Sequence, residues 1–369
     1  MGQFQGNRDF THASAACTGI LITNLGTPDA ATTGAVRRYL DEFLSDPRVV
    51  ETPRWLWQLI LHGVILRIRP PRAAKAYQKV WTAQGSPLLS ISQQLVAKLK
   101  AQTGQVFPGP VRIELAMRYG QPSIEAGLQT LRQANAQRIL IFPLYPQYSA
   151  TTTATTFDAV SKVLRRWRWL PELRMISHYH DHPAYIRAIA ESIRAHWQQH
   201  GRVEKLMMSF HGLPEHYLHQ GDPYFCECHK TARLVAENLQ LDDTQWQLSF
   251  QSRFGREEWL KPYTDKTLTE WGQQGVQSVQ VVSPGFSVDC LETLEEIAME
   301  NRHLFLEAGG KEYQYIPALN AQSLHTNMLF ELIKQHTAGW PETDASLRLE
   351  DEAALQQRQQ RARALGAEK

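Results

Sequence analysis

The chain has 369 residues, of which 43% are apolar and 21% are charged, an ordinary globular composition with room for one large or two medium domains. Its formal net charge is +2 and its basic residues are scattered, so charge gives no reason to expect a nucleic-acid partner.

The first residues, MGQFQGNRDFTHASAACTG, lack the basic stretch and apolar core of a secretory signal. The four cysteines are too few and too scattered for a disulfide framework, which favours a reducing compartment. We therefore expect a cytoplasmic protein.

The longest apolar stretch is WLWQLILHGVIL, residues 55–66, which we call the lip. As a helix it would extend only ~18 Å, against ~30 Å for the hydrocarbon core of a bilayer, so it is too short to span one. Its two tryptophans, and the basic residues Arg67, Arg69 and Arg72 that follow it, are typical of an interfacial segment. A buried amphipathic helix is the alternative.

Short β-rich runs alternate with segments of helical length along the whole chain. The runs are, in order, GILITNL, VRIELAMR, RILIFPLY, LRMISHY, KLMMSFHG, WQLSFQS, VQVVSPGF and YQYIPAL. The helical segments include residues 88–101, 184–199 and 291–306. This alternation predicts an α/β fold with parallel sheets and crossover helices.

The domain boundary is predicted from rhythm alone, because no Gly/Ser linker divides the chain. We place it within residues 157–171, where a helical pattern containing RRWRW separates two series of strands. The predicted units are an N-terminal half, 17–157, and a C-terminal half, 158–319. A helix at 320–338 is predicted to pack on the first half, and residues 339–369 are predicted to form a polar tail.

In open α/β sheets, ligands bind beyond the carboxyl ends of the strands. The loops at those positions are NLGTPD, MRYGQP, PLYPQYSATTT, SFHGLPEHY, QSRFG and SPGFSVD. Neither GxGxxG after the first strand nor GxxxxGK[ST] occurs, so the sequence lacks the phosphate-binding loops of dinucleotide and P-loop proteins.

Two short motifs could indicate metal ligands, and both are weak. In HYHDH, residues 178–182, the following Pro183 suits a first helical turn and makes His182 or Asp181 a cap. We expect no zinc site there, because the sequence shows no second ligand pair at a suitable spacing. The CxC motif of Cys226 and Cys228 would need Cys17 and Cys290, both distant in sequence, to complete a four-cysteine iron–sulfur site. We therefore do not expect such a site.

An apolar strand ends directly at His211, which places an imidazole at the edge of a sheet. After another strand, SPGFSVDCLETLEEIAME carries five carboxylates and no basic residue. At ~100° per residue, four of them share one face of a helix, namely Asp289, Glu292, Glu296 and Glu300. A solvated acidic face with Asp289 as N-cap explains only the first turn. Imidazole opposite carboxylates is a ligand set that suits Fe²⁺ or Zn²⁺.

Together these loops resemble the ferrochelatases, and most closely the proteobacterial protoporphyrin ferrochelatases. The resemblance rests on NLGTPD, PLYPQYSATTT, SFHGLP, GDPY, FQSRFGREEWL, SPGFSVDCLETLEEI and YIPALN, and it runs from about residue 18 to 332. It implies insertion of Fe²⁺ into protoporphyrin IX to form protohaem, the last step of haem synthesis. It also implies two similar Rossmann-like, doubly wound halves of the chelatase type, with the active-site cleft between them.

The resemblance also assigns residues. His211 matches the active-site histidine and Glu292 the glutamate that faces it, and both, with Asp289, Glu296 and Glu300, are expected to contact the metal. The residues expected to bind the porphyrin are Arg69, Tyr77 and Ser86, which would hold propionates, and Arg118, Tyr119 and Phe286. The lip matches the hydrophobic border of the porphyrin entrance, which favours peripheral contact with the inner membrane. Mutual repulsion along the file of glutamates is expected to raise their pKa values.

Two departures from the family pattern affect these expectations. Cys290 stands where many relatives have a histidine, which puts a ligand role at that position in doubt. The C-terminal cysteine cluster of some relatives is absent, so no [2Fe-2S] cluster and no other cofactor is expected. The alternatives are a chelatase for coproporphyrin III or another metal, and a tetrapyrrole or metal carrier without turnover. The sequence does not indicate the oligomeric state of the protein.

Overall fold

A computed structural model describes residues 4–7, 10–255 and 257–368, and it contains two four-stranded parallel sheets. The first sheet has the order β2-β1-β3-β4 and consists of β1 Cys17–Gly26, β2 Val111–Tyr119, β3 Ala136–Pro143 and β4 Glu172–Met175. The second has the order β6-β5-β7-β8 and consists of β5 Lys205–His211, β6 Trp246–Gln251, β7 Ser278–Val282 and β8 Glu312–Ile316. The two orders are the same, so the predicted pair of similar α/β halves is confirmed, as are all eight strands.

Helices connect the strands of both sheets, and they are numbered here in chain order. They are α1 Thr33–Leu44, α2 Arg54–Ile60, α3 Leu66–Val80, α4 Pro87–Val106, α5 Ile124–Gln133, α6 Thr155–Leu164, α7 Pro183–His200, α8 Glu215–His219, α9 Tyr224–Leu239, α10 Thr264–Gln273, α11 Arg302–Glu307, α12 Ser323–His336 and α13 Glu352–Ala364. Three π-helical segments adjoin them, Leu61–Ile65, Ala150–Ala154 and Glu292–Asn301. None of the helices in the described part of the chain is long and apolar enough to cross a membrane.

The central strand β1 is covered on both faces, which explains its continuous apolar run. Ile20, Leu21 and Ile22 are fully buried, because helices cover both sides of a parallel sheet. At its end, Gly26 adopts φ +113°, and a Cβ there would lie 1.8 Å from the carbonyl oxygen of Tyr119. Only glycine fits this turn, which carries the chain out of the sheet beside the end of β2.

One apolar core joins the two halves. It includes Ile22 of β1, Leu95 of α4, Ile189 of α7, Phe210 of β5 and Leu332 of α12. The sheets are therefore held together by a shared interior.

The predicted boundary between the halves was misplaced. Strand β4 follows the predicted boundary, yet it pairs in parallel with β3, from Arg138 opposite Glu172 to Ile141 opposite Met175. The first sheet therefore continues to Met175, and the chain passes to the second half between there and α7. A four-residue strand gave no signal of which sheet it would join.

The predicted polar tail is partly buried. Trp340 is buried, and Glu342 is 1% exposed. Its carboxylate accepts hydrogen bonds from Nη1 of Arg138 on β3 at 2.8 Å and from Oγ1 of Thr18 on β1 at 2.9 Å. Residues 339–343 thus belong to the first half. Before them, α12 contacts both α4 and α7.

Loss of the Glu342 carboxylate would leave the guanidinium of Arg138 facing a buried site without its main partner. We expect Glu342→Ala to lower the free energy of unfolding by about 3 kcal/mol, measured by urea denaturation. The matched control is Glu191→Ala, at an exposed position of α7, which should change it by less than about 0.5 kcal/mol. Equal effects of the two variants would contradict a structural role for residues 339–343.

Candidate active site

A cavity of ≈ 1150 Å³, counting its open mouth, lies where the loops of the two sheets meet. The first half contributes residues that follow β1 and β3, including Leu144 and Tyr145. The second half contributes His211 at the end of β5 and the loop after β7. The site is therefore at the carboxyl edges of both sheets, where parallel folds bind ligands.

The walls of this cavity are mainly apolar and aromatic. They include Phe43, Leu88, Phe254, Trp259 and Phe286. Among the described lining residues none is Lys or Arg, and the only carboxylate is that of Glu292. The cavity suits a large apolar ligand with few charged groups.

His211 is half-buried at the end of β5, with its ring 6.5 Å from those of Trp259 and Phe286. Its Nδ1 lies 2.6 Å from the carbonyl oxygen of Gly212. A carbonyl oxygen only accepts hydrogen bonds, so in the neutral ring Nδ1 carries the proton and Nε2 is left as a base. The hydroxyl of Tyr224 donates to the His211 carbonyl oxygen at 2.9 Å, which fixes the backbone.

Glu292 lines the same cavity as His211, from the first turn of the helix after β7. That helix was predicted with α-helical geometry, but residues Glu292–Asn301 form a π-helix. Such segments are rare and occur frequently at functional sites. Hydrophobicity and charge spacing predicted the helix but gave no signal for its wider turns.

The glutamates along this helix pass from the cavity wall to the surface. Glu292 and Glu296 are half-buried, and Glu300 is exposed. Burial raises the pKa of Glu296 to about 7, and the charges of Glu292 and Glu300 add to this, against hydrogen bonds from Ser252 that lower it. The raised pKa agrees with the prediction, but its main cause is burial and not mutual repulsion. Glu295 lies on another side of the helix and pairs with Lys79 at 2.5 Å.

Asp289 was predicted to contact the metal, and its surroundings favour a different role. It is buried and does not line the cavity. Its Oδ1 accepts from Oη of Tyr315 at 2.6 Å and Oγ1 of Thr293 at 3.0 Å, and its Oδ2 from Nδ2 of Asn320 at 2.7 Å. These bonds occupy both oxygens and tie the turn before the π-helix to the end of β8. Nor does it cap the helix, because no helical N–H donates to it among the described residues.

Arg118 and Tyr119 were predicted to line the pocket, but their side chains lie behind its wall. The Arg118 guanidinium pairs with Asp46, donates from Nε to the Thr155 carbonyl oxygen at 2.8 Å, and stacks on the Tyr119 ring. Oη of Tyr119 donates to the same Asp46 at 2.9 Å. Asp46, which the sequence did not single out, neutralises this cluster. The pocket surface nearby is formed by Tyr145, whose buried hydroxyl has no hydrogen-bond partner in the described chain.

The three residues expected to hold propionates divide into two groups. Tyr77 and Ser86 are buried beside the cavity, and both bond to Thr27, whose Oγ1 donates to Oγ of Ser86 at 2.8 Å. Burial, followed by the charge of Glu292, raises the pKa of Tyr77. Arg69 is exposed at the mouth, with its guanidinium 5.0 Å from the ring of Phe254.

Cys290 lines the cavity next to Glu292. Burial, and then the charge of Glu292, raises the pKa of its thiol well above the usual value. A thiol that keeps its proton is a poor metal ligand, because thiolate is the binding form. The four cysteines are all unpaired by disulfides.

The lip is amphipathic, with one apolar face buried and another exposed. Leu61 and Leu66 are buried against Leu44, itself a residue of the cavity wall. Trp55, Leu59 and Val64 are 71%, 67% and 49% exposed. The lip therefore borders the cavity on one face and presents an apolar surface on the other.

Comparisons with known proteins agree with this geometry. The family model described as Ferrochelatase matches residues 17–337. A ferrochelatase from Nitrosococcus oceani is 56% identical over 365 residues, 99% of each chain. One from Thioalkalivibrio sulfidiphilus is 55% identical over 366 residues, 99% of this chain and 98% of its own. The chain belongs to the ferrochelatase family.

Ferrochelatases are lyases that insert iron into a porphyrin in haem biosynthesis, and this is the activity of the family to which the chain belongs. The solved structure of SirB from Bacillus subtilis with Fe³⁺ superimposes with a TM-score of 0.52 at 12% identity, covering 89% of this chain and 99% of that one. At this identity the likeness shows the fold alone, and it confirms the chelatase type of architecture.

The raised pKa of Glu296 predicts a pH-dependent cost in stability. Between about pH 4.5 and 7 the folded protein binds more protons at this carboxyl than the unfolded chain does, so stability falls as the pH rises through that window. Glu296→Gln removes the ionisation. We expect the variant to gain stability relative to the parent from pH 5 to 8, on the order of 2–3 kcal/mol, measured by urea denaturation.

The control for this experiment is Glu300→Gln, which removes a charge from an exposed position of the same helix. The quantity compared is the difference between the two variants at each pH. A difference that stays constant from pH 5 to 8 would show that Glu296 does not titrate in this range.

Proposed function

We propose that the chain inserts Fe²⁺ into protoporphyrin IX to form protohaem, with release of two protons. The observation that carries this proposal is that His211 and Glu292 line one apolar cavity, on walls supplied by different strand edges. A base and an anionic metal contact are the two groups that insertion requires, and here they share one apolar cavity that is open to solvent.

The lining favours protoporphyrin IX over coproporphyrin III. Protoporphyrin carries two propionates and two apolar vinyl groups, whereas coproporphyrin III carries four propionates. Described lining residues include no Lys or Arg, and Arg69 stands at the mouth. Burying additional carboxylates against such walls would cost free energy without a cation to compensate.

His211 is proposed as the base that removes pyrrole protons. The hydrogen bond at Nδ1 leaves Nε2 able to accept a proton. The rings of Trp259 and Phe286, each 6.5 Å from the imidazole, make its surroundings partly apolar. Contacts of the same walls with the porphyrin would supply the roughly 1–5 kcal/mol that bends the ring and exposes its nitrogens.

Glu292 is proposed as the metal contact in the cavity, and Glu296 and Glu300 as the route between the cavity and solvent. The three carboxyls run from a half-buried wall position to an exposed one. With a pKa of about 7, Glu296 can accept and return a proton near neutrality, or hold a cation once ionised. We assign Asp289, by contrast, to anchoring the turn that presents Glu292.

No cofactor is proposed to take part, since iron is a substrate and the cysteines lie on β1, on α9 and beside Glu292, without a four-thiolate set. We propose cytoplasmic residence with peripheral contact at the inner membrane, and no nucleic-acid partner.

Turnover of the purified protein with anaerobic Fe²⁺ tests the function. We expect many turnovers per chain with protoporphyrin IX, and a kcat/KM at least about tenfold lower with coproporphyrin III, because its additional carboxylates enter an apolar wall. A preference for coproporphyrin III would contradict the substrate assignment. Binding of one porphyrin without turnover would instead indicate a carrier.

The base is tested in the same assay with His211→Ala. We expect kcat to fall by about 10²–10⁴-fold while porphyrin still binds, since general-base catalysis contributes in this range. The control is His303→Ala, at an exposed position of α11, which should retain turnover. Turnover of His211→Ala within twofold of the parent would eliminate His211 as the base.

The exposed face of the lip is the proposed membrane contact. Its apolar side chains stand beside the basic residues Arg67, Arg69 and Arg72, and no Asp or Glu occurs from residue 54 to 80. Apolar burial and attraction to anionic headgroups would act together on this surface.

Vesicle co-sedimentation with phosphatidylglycerol and phosphatidylcholine tests this contact. Trp55→Ser/Leu59→Ser/Val64→Ser should reduce the bound fraction at least about tenfold, because each side chain contributes about 1.5–3 kcal/mol when fully buried. Trp169→Ser/Leu170→Ser, which changes exposed apolar residues outside the lip, should bind like the parent. Equal binding of both variants would mean that the lip does not meet lipid.

A further inference from the structure

The HYHDH segment forms part of a second cluster of metal-ligating side chains, on the other side of a cavity wall. The segment lies between β4 and α7, and His182 caps α7 by accepting from the N–H of Ala184. Two bonds fasten the segment to α9, from Nζ of Lys230 to Asp181 at 2.6 Å and from Oγ1 of Thr231 to the His180 carbonyl oxygen at 2.7 Å. These contacts place a third metal-ligating side chain next to the two histidines.

That ligand is Glu227, in the first turn of α9, between the two cysteines of the CxC motif. Its Oε1 lies 2.6 Å from Nδ1 of His178, and its Oε2 lies 3.3 Å from Nδ1 of His180. The three donor atoms lie within 4.8 Å of one another. Zinc was not expected here because the sequence shows no second ligand pair at a suitable spacing, whereas the fold supplies one further ligating side chain, Glu227, from 47 residues beyond His180.

The cluster contains an unsatisfied buried group. His180 is 7% exposed and Glu227 is 6% exposed. The Nδ1 atom of His180 makes no hydrogen bond within the described chain, because its contact with Glu227 lacks hydrogen-bond geometry. Buried polar atoms are normally paired, so a nitrogen that faces a carboxylate without bonding to it indicates a missing partner.

We propose that His178, His180 and Glu227 bind a divalent first-row transition metal, with Zn²⁺ as the reference ion, at a site separate from the reaction cavity. Two imidazoles and a carboxylate form a borderline ligand set that such ions prefer. Donors ~2.1 Å from one ion lie roughly 3–4 Å apart, and the observed separations need only small shifts of the half-exposed His178 ring. That exposure gives the ion a route from solvent.

The surroundings already orient the carboxylate for this purpose. The backbone N–H of Tyr148 donates to Oε2 of Glu227 at 2.7 Å. Hydrogen bonds of this kind fix the orientation of metal ligands. The next residues, Ser149, Thr151 and Thr152, line the reaction cavity. An ion at this site would therefore stabilise the segment that forms one wall of the cavity, without contacting the porphyrin.

Cobalt binding tests the proposal, because Co²⁺ has a visible absorption spectrum that reports its coordination. The parent protein for the titration is His211→Ala/Glu292→Gln, which removes the two proposed metal-contacting side chains that line the reaction cavity. We expect it to bind one equivalent of Co²⁺, which Zn²⁺ displaces. Adding His178→Ala should raise the Kd at least tenfold, and Glu227→Gln should do the same.

The matched control adds His303→Ala, which breaks an exposed His–Glu contact of 3.0 Å with Glu307 and should leave the Kd within twofold. Absence of bound Co²⁺, or a Kd that His178→Ala does not change, would overturn the proposal.

Thermal unfolding provides a readout that does not depend on the cobalt spectrum. Saturating Zn²⁺ should raise the Tm of the His211→Ala/Glu292→Gln protein by roughly 3–5 °C, and adding His178→Ala should abolish the rise. His178 is half-exposed, so its loss leaves the metal-free fold intact, and the metal-free Tm of the variant checks this. An equal rise in both proteins would place the stabilising ion elsewhere and contradict the site.

Discussion

The carboxyl ends of the parallel strands of both sheets meet at one place, and the cavity and its lining depend on this arrangement. Both sheets have the same strand order, and the loops beyond their carboxyl edges face one another over a shared core. Each sheet delivers what the other lacks. The first supplies Leu144 and Tyr145 to the wall, and the second supplies His211 and the turn leading to Glu292. A cavity with a base and an acid on an apolar lining needs both edges, so neither half alone could form it.

Burial is the variable that differentiates chemically similar side chains around this cavity. Among the carboxyls, Asp289 is buried and fully hydrogen-bonded, Glu296 is half-buried with a pKa of about 7, and Glu300 is exposed. Among the histidines, His211 stands at the cavity and His180 is enclosed against α9. The roles that we propose for these residues, as anchor, proton carrier and ligand, follow from this difference in access to water.

The sequence predicted the strands, and it predicted that His211 and Glu292 would face one cavity, because those signals are local. Apolar runs identify strands, and a strand that ends at His211 places it at a sheet edge. The errors concern partners distant in sequence. Glu342 accepts a hydrogen bond from Arg138, which lies 204 residues earlier in the chain. Because the sequence does not show this partner, residues 339–343 were predicted to belong to a polar tail. Arg118 pairs with Asp46, and His180 lies next to Glu227. In both cases the partners are far apart in sequence, so no local sequence pattern predicts the contact. The π-helical turns leave no signature in hydrophobic spacing.

The position of Glu296 on the proposed route affects how iron and protons would pass between the cavity and solvent. Its carboxyl is about half protonated near neutrality, and an oxygen that carries a proton is not available to a cation. If the proposed route is used, incoming iron and outgoing protons would occupy this residue in turn. Mild acidification would occupy the carboxyl and delay the ion, so delivery of the metal would slow even where the porphyrin is already seated.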